Sequence, residues 1–285
     1  MKLVKPSVEI RVQEDGDNGL YEHIEWAGRH CYKSHDKTTS ESAFRFVDNL
    51  TRSGHLSVLE HGTIYLTIPA RENVTKFFFN PYTRVVRFEE YDKEWYAVTT
   101  NFRVIVENHW QKWLVHRSNP TRHHIKRITA KFICDRGVSH EFVRHRVMSI
   151  SMESQRYCNY NKDKFGTQIT YIQPSWWDTA CESREEYKQV LLKAEEAYLK
   201  AVKAWDERKP DKRFKTGFKG NPLSPQMARM ILPNATKTEL VMTAFETDWE
   251  HFFELRCSPA AHPDARYLAE KLKQMITKNN QNNGN

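Results

Sequence analysis

Arg144-His145-Arg146-Val147-Met148-Ser149-Ile150-Ser151-Met152-Glu153-Ser154-Gln155-Arg156-Tyr157 is the stretch whose reading decides the fold. Three side chains able to carry positive charge stand in a row. A cluster of donors and acceptors, starting at Glu153, follows. Upstream, Gly137 to Val143 has the spacing of a short helix, with Val138, Phe142 and Val143 as its apolar positions. On such a helix Glu141 and His145 lie one turn apart, as do His140 and Arg144. Arg144 and Arg146 then leave one rigid element in different directions, where the chain turns into a polar loop. Taken alone, such a run is more often a solvated basic patch than a site. The context shifts the balance. No Lys occurs between Arg144 and Tyr160, while Ser149, Ser151, Ser154, Gln155 and Arg156 add hydrogen-bond donors. Arg suits planar, two-pronged binding of phosphate and stacking on rings. The stretch reads as a site for an anionic, ring-bearing ligand.

The size allows a large core in one elaborated domain or two small ones: the chain has 285 residues, 39% of them hydrophobic and 12% aromatic. That composition excludes a disordered chain. The net charge of +8 favours anionic partners without choosing among nucleic acid, nucleotides and phosphorylated cofactors. The cysteines Cys31, Cys134, Cys158, Cys181 and Cys257 are odd in number and scattered. They support neither a disulfide framework nor a zinc knuckle, and a reducing cytoplasm is the expected home. No signal core or membrane-spanning run is present in the sequence.

Outward from the central stretch, Val8 to Val12, Thr63 to Ile68, Arg84 to Phe88, Tyr96 to Thr100, Ile128 to Cys134, Thr167 to Ile172 and Leu240 to Phe245 read as strands. Helices are expected over Tyr21 to Tyr32, Ser40 to Arg52, Asn108 to His116, Glu182 to Trp205, Ser224 to Leu232, Asp248 to Arg256 and Asp264 to Lys278. The helix from Glu182 should bury Tyr187, Val190, Leu191, Ala194, Ala197 and Tyr198. Lys209 to Lys219 reads as a charged loop and Asn279 to Asn285 as an unstructured tail. The basic run Arg117 to Arg127 could touch nucleic acid, though a solvated loop is commoner. In the helix ending at Arg256, Trp249, Phe252, Phe253 and Arg256 fall on one face. An unpaired charge there is expensive, so Arg256 must reach water or meet an anion. Arg229 is likewise the only charge in its apolar segment. The two His and one Glu of His55 to His61 invite a metal, but the two His lie six apart and no zinc-helix spacing occurs. No metal is expected.

The segment Arg144 to Ser154, with Arg156 two residues on, resembles the signature of the flavin-dependent thymidylate synthases. Three further segments agree in order: His55 to His61, Ala228 to Pro233, and Leu255-Arg256. The resemblance implies an α/β fold, a mixed sheet flanked by helices, in one domain over 1–278 with an inserted segment at about 70–124. It implies reductive methylation of dUMP to dTMP, with methylenetetrahydrofolate as carbon donor and FAD, reduced by NADPH, as hydride source. It assigns dUMP to Glu141, Arg144, Glu153, Ser154, Gln155, Arg156, Arg229 and Arg256, with Arg256 polarising the uracil ring. It assigns FAD to His55, Ser57, Glu60, Arg144, His145, Arg146 and His251. It implies no cysteine nucleophile, and a homotetramer with sites at subunit interfaces. Departures from the family pattern are Glu141, where many members have Gln, Ser151 and Met152 in place of an Asn-Glu pair, Phe245 and Thr247 in place of Asn and Arg, and His251 in place of Asn. Two other readings stand beside this one: a basic nucleic-acid-binding protein, with steep salt dependence, and a metal-dependent hydrolase sensitive to chelators.

Overall fold

The computed structural model describes residues 1–180, 182–206 and 223–282. Strands β1 (Lys2–Val4) and β2 (Ser7–Arg11) lead into helices α1 (Gly16–Tyr32) and α2 (Ser42–Arg52). Next come β3 (Thr63–Pro69), α3 (Thr75–Phe78), β4 (Arg84–Glu90), β5 (Lys93–Asn101) and α4 (Phe102–Glu107). β6 (Arg127–Asp135), α5 (Arg136–Phe142), β7 (Ser149–Met152) and β8 (Thr170–Ile172) follow. α6 (Ser183–Asp206), α7 (Pro225–Ala228), β9 (Lys237–Phe245), α8 (Glu246–Arg256) and α9 (Pro263–Asn282) complete the described chain. The fold is the expected mixture of α and β. No described helix is long and apolar enough to cross a membrane.

Two long strands set the frame. β6 and β9 pair antiparallel over nine residues each, in a sheet ordered β2-β6-β9-β7. Their side chains alternate in purpose as well as direction. Ala130, Phe132, Cys134, Leu240, Met242 and Ala244 face a dry core shared with Val138 and Phe142 of α5, Trp249 and Phe252 of α8, and Leu268 of α9. Thr129, Glu239 and Thr243, together with Ser149 and Ser151 of β7, face the other way. That second face is polar yet buried, because α1 and the segment before β3 close over it. Histidines pair with its hydroxyls: His23 Nε2 with Thr129 Oγ1 at 3.0 Å, and His61 with Thr243 Oγ1 at 2.8 Å and Ser151 Oγ at 2.9 Å. A second sheet, β3-β5-β4, carries Ile64, Leu66 and Ile68 into a core with Leu20 and Ile24 of α1 and Val47 of α2. The expected insertion, about 70–124, supplies β4 and β5 of this sheet, β5 pairing with β3 along the length of β3.

Several expectations need correction. Ser149 to Met152, read as polar loop, is an edge strand, because Ser149 and Ser151 find partners in Arg127 and His61. The helix before Arg144 stops at Phe142, its end tightened by bonds from Arg144 N to Glu141 O and from His145 N to Phe142 O. Asp135 caps its start, accepting from Val138 N. Gln111 to His116 forms a 3-10 turn, the α-helix falling earlier, in α4. α7 is one turn long and passes into a 3-10 turn over Arg229 to Ile231. In α6 Val190 is 60% exposed and Ala197 is exposed, while Glu195 is buried to receive the Met1 ammonium at 2.9 Å. The run Arg117 to Arg127 is not wholly a solvated loop, since His124 is buried on Leu66 O and Arg127 opens β6. α9 extends to Asn282, into the expected tail. Cys181, the charged segment Lys209 to Lys219 and residues 283–285 lie outside the described residues.

Trp249 is 1% exposed, packs on Phe252 and Phe253, and donates its indole N–H to Ile128 O at 3.1 Å. Trp249→Ala should lower unfolding free energy by ~3–5 kcal/mol in urea titration, since it empties the joint between sheet and helices. A loss under about 1 kcal/mol would contradict this packing.

Candidate active site

The apolar stripe of α8 ends in Arg256, and the anion that the stripe demanded is present. Arg256 Nη1 donates to Glu141 Oε2 at 2.6 Å and Nη2 to the Glu141 carbonyl at 2.8 Å. Nε donates to His145 Nε2 at 3.1 Å. These bonds hold the end of α8 against the end of α5, over the Phe142–Phe252 ring contact. Three of the five guanidinium N–H groups are used, which leaves one on each terminal nitrogen for a ligand. His145 must be neutral to accept. Burial first, then the Arg256 charge and His251, hold its pKa down to about 4. The neighbours in the triplet, Arg144 and Arg146, are exposed, so the turn presents two guanidinium groups to solvent and keeps one imidazole inside. His251 is also exposed, its ring 6.2 Å from that of His145 and its Nδ1 3.4 Å from Glu254.

A second group follows β7. The Glu153 carboxylate is buried and takes hydrogen bonds from Tyr160 Oη at 2.9 Å and Lys237 Nζ at 2.8 Å. Ser154 is anchored through its backbone N–H to Cys31 O. Gln155 Nε2 is a buried donor with no acceptor among the described residues. Arg156 is exposed and donates to Gln226 of α7, so the signature reaches the segment of Arg229. Arg229 is exposed as well, close enough to Arg136 to disfavour its charge.

A third group lines an open cavity of about 820 Å³. His55 and Ser57 stand there with Tyr32, Phe46, Ser151 and Tyr157. Glu60 lies just behind, paired with Arg103 at 2.6 Å. Arg103, which also lines the cavity, was not singled out in the sequence. Neither was Arg127, which bridges Glu60 O at 3.0 Å and Ser149 Oγ at 3.1 Å. Burial lowers the Arg127 pKa to about 10. Its only signal was position: a basic residue opening a buried strand.

The structure therefore gathers the expected residues into three groups: Glu141, His145 and Arg256; Glu153 to Arg156 with Arg229; and His55, Ser57 and Glu60. It does not draw all of them into one cavity of a single chain. Thiolate chemistry finds no support among the described residues. Burial raises the Cys31, Cys134 and Cys257 thiols and pushes Cys158 up to about 12.

Residues 107–279 match the family model of the thymidylate synthase complementing proteins. The chain belongs to that family. Among its relatives are flavin-dependent thymidylate synthases. The protein of Mycolicibacterium vanbaalenii is 25% identical over 274 residues, 95% of this chain and 80% of its own length. That of Geobacter sulfurreducens is 30% identical over 141 residues, 50% of this chain and 52% of its own. A solved structure of the UMP/dUMP methylase PolB from Streptomyces cacaoi, bound with 5-Br dUMP, is 14% identical with a TM-score of 0.46, covering 98% of this chain and 93% of that one. The resemblance read from the four motifs is thus a family relationship. The family motif Arg144 to Ser154 occupies the turn after α5, β7 and the two residues beyond it.

Two buried histidines make the fold acid-sensitive. Burial chiefly holds His145 near 4 and His23 near 3, against an ordinary value of 6.5. Their folded pKa lies below the unfolded one, so unfolded chains bind more protons between these values. Stability is complete above about pH 6.5 and falls as pH drops toward about 4. Urea midpoints measured from about pH 7 to 5 should decline steadily, and a flat profile would refute the neutral assignment.

Proposed function

We propose that this chain is a flavin-dependent thymidylate synthase that methylates dUMP to dTMP. Methylenetetrahydrofolate provides the carbon, and FAD, reduced by NADPH, provides the hydride; the setting is the cytoplasm. Family membership and the names of the relatives support the reaction class. The observation that carries it is the seat of Arg256, a guanidinium on an apolar helix face, fixed by Glu141 and His145 with two N–H groups still free to donate.

Each group has a task in this reading. Arg144, Arg156 and Arg229 bind the nucleotide's phosphate and sugar, with hydrogen bonds from Ser154 and the unpartnered Gln155 amide and a contribution from Glu153. Arg256 donates to the pyrimidine where negative charge develops, so that the ring carbon becomes nucleophilic. Glu141 positions Arg256, and the neutral His145 keeps its Nε aligned. The donor set fits a flavin: the cavity of His55 and Ser57 is wide, open and lined by Tyr32, Phe46 and Tyr157 as well as hydroxyls. His55, Ser57 and Glu60 hold the cofactor there, with Arg144, His145, Arg146 and His251 as its further contacts. The bound flavin supplies hydride transfer, and the protein supplies position and field. Arg144, Arg146, Arg156 and Arg229 stand on the surface, where a second subunit can bring its cavity against them. A homotetramer with shared sites meets that need.

The nucleic-acid reading loses its main support in this fold. Arg117 is paired with Asp17 and bound to Gly16 O at 2.7 Å, and His124 is internal.

Purified protein should take up FAD with a flavin absorption spectrum and convert dUMP to dTMP. Arg256→Ala should cut kcat/KM about a hundredfold or more, ~3 kcal/mol of transition-state stabilisation, with the far-ultraviolet circular dichroism unchanged. Glu141→Gln retains an oxygen acceptor and should stay within roughly fivefold of wild type, whereas Glu141→Ala should lose about tenfold. Full turnover in Arg256→Ala would remove that residue from the chemistry.

A further inference from the structure

The end of α1 carries a feature that the proposed reaction does not use. The helix stops where Lys33 takes a left-handed conformation, φ 50°, and the chain folds back so that His35 lies against His30. His30 Nδ1 is 2.7 Å from Glu239 Oε2 of β9 and 3.2 Å from His35 Nε2. A ring nitrogen holds either one proton or one lone pair. His30 Nδ1 cannot satisfy both neighbours, and a relay of protons is excluded because both contacts use the same nitrogen. Three donor atoms converge on one point instead, all within 4.8 Å of one another. Two imidazole nitrogens and a carboxylate oxygen around a zinc ion lie about 3.3 Å apart, from metal–ligand bonds of roughly 2.0–2.1 Å. Small movements reach that arrangement.

The surroundings are those of a supported ligand. Lys33 and Lys237 both bind the other oxygen of Glu239, Oε1, which fixes the carboxylate and leaves Oε2 directed at the histidines. Lys237 also binds Glu153 at 2.8 Å, and Lys33 lies 3.7 Å from it. Two ammonium groups and two carboxylates balance within the cluster; Lys131, which acts on both imidazoles, is itself paired with Glu9, while Lys2, Lys164 and Asp36 line the adjoining cavity. Lys33, His35 and Glu153 line a cavity of about 560 Å³, through which an ion and its remaining water ligand can enter.

We propose that His30, His35 and Glu239 form a binding site for a divalent transition metal of the zinc class, with water completing the coordination. The site ties the end of α1 to β9, and its ligands come from positions 30, 35 and 239, a spacing that no metal motif in the sequence announces.

The full-length protein, dialysed against chelator, is titrated with Zn²⁺ in competition with a chromophoric chelator, and with Co²⁺ to read the coordination spectrum. No flavin or substrate is present, so the result stands apart from the proposed reaction. Glu239→Gln strips two buried ammonium groups of a partner and is a poor probe. His35→Ala, on the surface, is the test variant. One Zn²⁺ per chain is expected, with affinity reduced at least tenfold in His35→Ala. Substoichiometric uptake or equal affinity in His35→Ala would each overturn the assignment.

Discussion

A guanidinium on the dry face of a helix must be given an anion, and here that requirement joins two distant parts of the chain. Arg256 comes from the last turn of α8, and Glu141 and His145 from the end of α5 and the turn after it, more than a hundred residues earlier. The pairing sets the angle at which α8 meets α5, seals the Phe142–Phe252 contact below, and orients the two unused N–H groups of the guanidinium. It also forces His145 to be neutral and inside, which throws Arg144 and Arg146 outward on either side. The polarity of the whole turn follows from one charge that could not be left unpaired.

The central sheet supports this by keeping two kinds of interior apart. One face of β6 and β9 is aliphatic and aromatic and anchors α5, α8 and α9. The other buries histidines, threonines, serines and a Lys–Glu network beneath α1. Packing holds the first face, and side-chain hydrogen bonds and ion pairs hold the second. β7 is the edge strand where the second face meets the signature. The Ser151 hydroxyl bonds His61, and two residues on the chain presents Glu153 to Lys237 and Tyr160.

What could be read beforehand divides along the same line. The periodicity of α8 put Arg256 on its apolar stripe, and alternation marked β3, β6 and β9; these are local signals, and they held. Four short motifs carried the family. β7 escaped because Ser149 and Ser151 look like loop residues until Arg127 and His61, far away in sequence, bond to them. The buried face of α6 was legible at Leu191 and Tyr198, but Val190 and Ala197 lie outside it, and the burial of Glu195, which receives the Met1 ammonium, has no signal in the periodicity. The convergence of His30, His35 and Glu239 is wholly tertiary. The assigned site residues sort into groups in the fold, but no pattern along one chain shows how separate subunits would bring those groups together.

The central claim is that guanidinium groups from separate segments meet on one phosphorylated pyrimidine. A crystal structure of the assembled protein with dUMP and FAD tests it most directly. Arg144, Arg229 and Arg256 should each place a nitrogen about 3 Å from a single bound nucleotide, with Glu141 still holding Arg256. A nucleotide bound elsewhere, with those three side chains left in solvent across every subunit contact, would contradict the account.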